Sequence, residues 1–186
     1  MFQGAQLVPG KIFFTKGIGT HREKLVSFEM ALRSAGIAQH NLVRISSIFP
    51  PECEVVEREE GAKLLRAGQV VFCVLSEAQS NEPGRRVGAA VAVAMPKDRS
   101  MYGYISEHHA YGQSEKAMGD YAEDLAAQML ATVLGAPFHP DEAWDERKEQ
   151  WRLSGHVVDS MNHTCVVLAP ESGDWVTVVS AAVICG

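Results

Sequence analysis

The sequence predicts an α+β fold, a layered sandwich, on three observations. Two stretches carry helical spacing, and seven or eight short stretches rich in Val, Ile and Ala read as strands. Most of those strands follow one another with no helix between them, which argues against a doubly wound parallel sheet. With 186 residues, 46% apolar and 22% charged, the chain can bury a core and reads as a single domain, 1–186.

Each element has a local reason. Residues 11–15 are β-prone, and Gly17, Ile18 and Gly19 after them read as a turn. Thr20 is then a helix N-cap, with Glu23 at capping-box spacing. Leu25, Phe28 and Leu32, with Val26 and Met30, recur at helical intervals until Gly36 supplies a stop. Residues 41–49 form one β-prone run, halted by Pro50 and Pro51, which cannot donate to a ladder. Residues 70–75, 87–95 and 102–107 read as strands, the first two joined by a turn at 80–84. Ser114 caps a long helix ended by Gly135 and Pro137, with Met118, Tyr121, Leu125, Met129 and Val133 as its expected core face. Residues 141–151 read as a short surface helix. Strands at 157–158, 164–168 and 176–184 follow, the last two joined by a hairpin turn at 171–174.

Composition narrows the function. Seventeen basic against twenty-three acidic residues give a net charge of −6, so no uniform field attracts a polyanion, and nucleic acid is not expected as a partner. No apolar run reaches the roughly 18–20 residues of a membrane-spanning helix, and residues 1–4 lack the basic start of an export signal. A cytoplasmic protein with no membrane partner is expected. Cys53, Cys73, Cys165 and Cys185 are scattered without a CxxC pair, which fits reduced thiols.

Few residues announce chemistry. Gly17, Ile18 and Gly19 before a helix are a weak phosphate cradle, because the full dinucleotide and P-loop spacings are absent. His108, His109, His163 and Cys165 are metal-ligand types, yet neighbours on a strand point to opposite faces, so polar strand-end residues explain the two adjacent histidines. A Cys165–His163 nucleophile pair lacks a third orienting group, and a buried structural cysteine is preferred. Ser46 and Ser47, with Asn41 and Arg44 close by, end a strand; locally they are only strand-terminal polar residues.

The run Asn41-Leu42-Val43-Arg44-Ile45-Ser46-Ser47-Ile48-Phe49-Pro50-Pro51-Glu52 resembles the self-processing segment of the pyruvoyl-dependent arginine decarboxylases. The resemblance continues in Ser34-Ala35-Gly36-Ile37, in Val91-Ala92-Val93-Ala94-Met95-Pro96-Lys97-Asp98 and in Gly103-Tyr104-Ile105-Ser106-Glu107, and it is most diffuse after Gly135.

The resemblance implies a four-layer αββα sandwich cut between Ser46 and Ser47 into chains 1–46 and 47–186. The Ser47 hydroxyl would attack the Ser46 carbonyl, and a pyruvoyl group would replace Ser47. That group would be the cofactor, with no pyridoxal phosphate and no metal. Asn41 matches the asparagine that steadies the oxyanion, and Glu107 the acid that protonates the former α-carbon. A carboxyl kept protonated for that task needs an apolar or electron-rich pocket. Glu29 falls where the family has an acidic group for the substrate guanidinium, an aspartate one methylene shorter. L-Arginine as substrate, agmatine as product and a homotrimer with active sites between neighbours follow from the same resemblance. Decarboxylation of another amino acid, and a scaffold or binding subunit that never processes, are the competing readings.

Overall fold

In the first strand, β1 (Lys11–His21), the chain runs straight through Gly17 and Gly19, where a turn was expected. The reason is steric. A Cβ on Gly17 would collide with the Ala31 carbonyl oxygen, and one on Gly19 with that of Ser27. The two glycines let a helix lie directly on the strand; they do not bend the chain. That helix is α1 (Lys24–Ala35). Thr20 therefore stays in β1, and the N-cap is Glu23, whose N–H donates to His21 Nδ1 at 2.9 Å. Gly36 ends α1 as expected, in the left-handed region at φ 77°.

The computed structural model describes residues 7–135 and 157–186. The expected surface helix at 141–151 and Pro137 lie outside the described residues. After α1 come β2 (Asn41–Arg44), β3 (Ile48–Phe49), β4 (Glu54–Val55), α2 (Arg58–Lys63), β5 (Val70–Ser80), β6 (Arg86–Pro96), β7 (Gly103–Tyr111), α3 (Glu115–Leu134), β8 (Val157–Leu168) and β9 (Trp175–Ile184). Among the described residues there are thus three helices, where two were expected. The extra one, α2, is too short and polar to show helical spacing; it seats Gly61 against the Phe13 ring.

The strands form two sheets, a five-stranded one ordered β2-β5-β9-β1-β4 and a four-stranded one ordered β3-β7-β6-β8. Alternation along β6 shows how they stack. Val91, Val93 and Met95 meet Ile12, Phe14, Val74 and Ala182 of the five-stranded sheet, while Ala90, Ala92 and Ala94 face α3. On the far side of the five-stranded sheet, Ala31 and Ala35 of α1 pack against Phe13, Cys73, Val179 and Ala181. The order of layers is α1, sheet, sheet, α3, the αββα sandwich.

Both helices present small residues to their sheets, which departs from the expected faces. On α3, capped by Ser114 and ended by Gly135 as expected, the buried face is Met118, Ala122, Ala126 and Leu130; Tyr121 and Val133 are exposed. The alanines of β6 are so short that only a close-lying, alanine-faced helix fills the layer without voids. On α1, Ser27, Ala31 and Ala35 are buried, Phe28 and Leu32 pack beside them, and Leu25, Val26 and Met30 stay outside.

Candidate active site

Residues 41–49, expected as one strand, are two strands in different sheets. β2 pairs in parallel with β5, from Asn41 opposite Val70 to Arg44 opposite Cys73. β3 pairs antiparallel with β7, Ile48 opposite Tyr104 and Phe49 opposite Gly103. Ile45, Ser46 and Ser47 carry the chain from one sheet to the other. The crossing is held at both ends: Ile45 N–H donates to the Cys73 carbonyl at 3.0 Å, and Ile105 N–H donates to the Ser47 carbonyl at 2.8 Å. Just upstream, Arg44 is ion-paired with Glu77 of β5. The Ser46–Ser47 peptide is therefore a short link, outside either ladder, between fixed supports.

Ser46 is exposed and Ser47 half-buried. Beside them lies an apolar cavity of about 390 Å³ with Ile45, Ile48, Pro50, Pro51 and Phe72 in its wall. Glu107 stands on β7 two residues beyond Ile105, on the same face of the strand. Its carboxylate and the Arg44 guanidinium both act on the thiol of Cys73, the residue whose carbonyl holds Ile45; burial, the larger cause, pushes that thiol up to about 11. The structure thus gathers Ser46, Ser47, Arg44 and Glu107 at one end of the sandwich. Glu107 is exposed in the single chain, so the enclosure its expected task needs is not formed by this chain alone.

Asn41 and Glu29 are elsewhere. Asn41 opens β2, roughly 10 Å along the strand from Arg44, and its side-chain amide donates to the Gly68 carbonyl at 2.8 Å. Glu29 lies on α1, outside the five-stranded sheet, ion-paired with Arg33 one turn on. Neither is brought to the Ser46–Ser47 bond within one chain. The groups that hold the crossing, the Cys73 carbonyl and the Ile105 amide, belong to the backbone and leave no mark in the residue types.

The histidines have structural settings. His108 packs against Tyr121 of α3 at 4.7 Å between ring centroids, and its neighbour His109 lies on the opposite face of β7. His163 stacks on Phe14 at 5.1 Å, and burial lowers its basicity. All four cysteines are buried and unpaired by disulfides. Among the described residues no cluster of three or more His, Cys, Asp or Glu side chains is placed to hold a metal, and no helix is long and apolar enough to cross a membrane.

Fold and crossing together define a class: an αββα sandwich with a serine pair where the chain changes sheets, next to a carboxylate. The sequence profile described as pyruvoyl-dependent arginine decarboxylase matches residues 11–185. A probable pyruvoyl-dependent arginine decarboxylase of Chloroherpeton thalassium is 52% identical over 177 residues, 95% of this chain and 97% of that one. Pyruvoyl-dependent arginine decarboxylases of Methanococcoides burtonii and Nitrosopumilus maritimus are each 50% identical, covering 95% and 96% of this chain and 98% and 97% of their own. The chain belongs to the pyruvoyl-dependent arginine decarboxylase family.

Proposed function

We propose that this chain cuts itself between Ser46 and Ser47 and then converts L-arginine to agmatine and carbon dioxide. The observation that carries the reading is the crossing itself. A peptide held at both ends but outside both ladders keeps the Ser47 hydroxyl next to the Ser46 carbonyl, and such proximity can contribute up to ~7–11 kcal/mol toward a barrier.

In the cut, a bond forms from Ser47 Oγ to the Ser46 carbonyl carbon and the Ser46–Ser47 C–N bond breaks, giving an ester and a free amine. Removal of the Ser47 α-proton expels the Ser46 carboxylate. The remaining enamine takes up water and releases ammonia, which leaves a ketone at position 47. No oxidant is needed. Chains 1–46 and 47–186 stay together, because β1 and β2 of the first are laddered to β9, β4 and β5 of the second.

The pyruvoyl group supplies an electron-accepting carbonyl for an α-amino acid losing carbon dioxide. The site's residues fit it: Ser46 and Ile48, the residues on either side of Ser47, line an apolar cavity, and the Ser47 carbonyl is already held by β7. Glu107 delivers the proton that replaces the lost carboxylate. Glu29 takes the guanidinium and Asn41 donates to the oxyanion, both across an interface between copies. Exposed Leu25, Val26 and Met30 surround Glu29 on α1, and exposed Val43, Ile45 and Ile48 surround the crossing, two apolar patches that support burial against each other in a homotrimer. The four buried thiols suit a reducing cytoplasm.

Denaturing electrophoresis with intact mass measurement tests the cut: two fragments whose masses sum to the precursor plus water minus ammonia are expected. A single uncut chain that never gains activity would leave the scaffold reading. Because Glu29 is held by Arg33 in the free chain, a different amino acid is the second reading for the substrate. Decarboxylation rates across a panel of amino acids, with arginine expected to be fastest, decide it.

A further inference from the structure

The two sides of the Ser46–Ser47 link are anchored unequally. Upstream, β2 contributes four laddered residues and the Arg44–Glu77 ion pair. Downstream, β3 has only two laddered residues, followed by two prolines with no N–H to give. Such a short ladder is a poor anchor for a reaction that depends on sub-ångström placement. The turn beyond it adds a cost: Glu52 has φ 57°, the only described residue other than glycine in the left-handed region, a conformation that strains a residue with a Cβ.

Arg99, in the connection between β6 and β7, grips this turn from several directions. Its carbonyl accepts from Glu52 N–H at 2.8 Å, and its Nη2 donates to the Cys53 carbonyl at 2.8 Å, so the strained residue is flanked by both bonds. Its guanidinium carbon lies 5.5 Å from the centroid of the Phe49 ring, and Nη1 reaches Met95 Sδ at 2.9 Å. Phe49 and Cys53 are buried. Among the described residues no carboxylate forms an ion pair with Arg99, so its charge is directed at a backbone carbonyl and a ring. Such a cation–π contact is an attraction between the charge and the electron-rich ring face.

We infer that Arg99 is a positioning residue for self-cleavage: by clamping residues 49–53 it fixes the downstream end of the link and so holds Ser47 against the Ser46 carbonyl. The inference rests on the proposed cut at Ser46–Ser47. Arg99 touches neither serine, and its effect passes through Phe49 and the turn.

The test follows precursor disappearance on denaturing gels, from freshly expressed full chain, well below the unfolding temperature measured for each variant. Folded Arg99→Ala is expected to process at least ten-fold more slowly than the unaltered chain, and guanidinium ion at tens of millimolar is expected to restore several-fold of that loss. Turnover per pyruvoyl formed should change less than two-fold. Wild-type processing in folded Arg99→Ala overturns the inference, as does slow processing that guanidinium leaves untouched. Should Arg99→Ala not fold, Arg99→Lys carries the test, since it keeps the cation but not the forked reach; processing as fast as the unaltered chain then overturns the clamp. An unaltered chain that never cuts defeats the underlying reading instead, so the two failures are distinguishable.

Discussion

The two outer helices occupy equivalent layers, yet one is finished and the other is not. α3 is capped by the Ser114 hydroxyl, which accepts from Ala117 N–H, and its buried Glu123 accepts from Ser160 and Asn162 of β8. α1 has no side-chain cap, and it leaves Leu25 78% and Met30 40% exposed on either side of a half-buried Glu29. An exposed apolar face around a carboxylate is costly for a protein that stays alone. The four-stranded half holds Ser47 and supplies Glu107; the five-stranded half presents Glu29 and Asn41 outward. Under the proposed function, the difference teaches that the single chain would carry two half-sites facing different ways.

The sharpest way to break this picture acts at the seam between the halves. Ser47→Ala removes the attacking oxygen, so it should give one uncut chain and no pyruvoyl on intact mass measurement; fragments of normal size would end the account. Next is the four-stranded half alone. Glu107→Gln should still cut, while turnover of the matured protein falls about 10²- to 10⁴-fold, the usual worth of a positioned proton donor. Turnover at the normal rate would strip Glu107 of its role.

The contrast between the helices is tested by charge. Leu25→Asp with Met30→Asp should shift light-scattering mass from trimer to monomer and cut decarboxylation roughly ten-fold or more, because desolvating a carboxylate in an apolar interface costs several kcal/mol. Val133→Asp on the exposed side of α3 should change neither, and equal effects from the two helices would erase the distinction. The narrowest expected effect, confined to one kinetic constant, is at Glu29. Glu29→Gln should raise KM for arginine by about 10- to 100-fold, the range for a charged hydrogen bond worth 1.5–3 kcal/mol, and leave kcat less affected. An unmoved KM would remove the guanidinium contact.

Local chemistry in the sequence reached some of this fold and missed the rest for identifiable reasons. Gly36, Ser114 and Gly135 act through their own backbone or hydroxyl, and each ends or begins a helix where expected. Gly17 and Gly19 mislead because their purpose lies fourteen and eight residues downstream, in the Ala31 carbonyl and the Ser27 carbonyl they admit. The apolar periodicity of α1 and α3 points to the largest side chains, whereas alanine-lined sheets select the smallest. At 41–49 the β-propensity is uniform, and nothing local reveals that the chain leaves one sheet at Arg44 and enters the other at Ile48. Ser46 and Ser47 stand out through family resemblance, not through pattern. The separation of Glu29 from Ser47 is a property of tertiary placement, invisible to any spacing rule.

The position of β1 has a last consequence. It lies inside the five-stranded sheet, bonded to β9 along ten register pairs on one side and to β4 on the other. Before the cut, folding this sheet is an internal affair of one polymer. After the proposed cut, a denatured molecule would have to find its 46-residue piece by diffusion, so recovery would become concentration-dependent and, when dilute, would fail. Maturation by such a cut would work as a ratchet: the enzyme's lifetime would be set by how slowly it opens, not by how readily it re-forms.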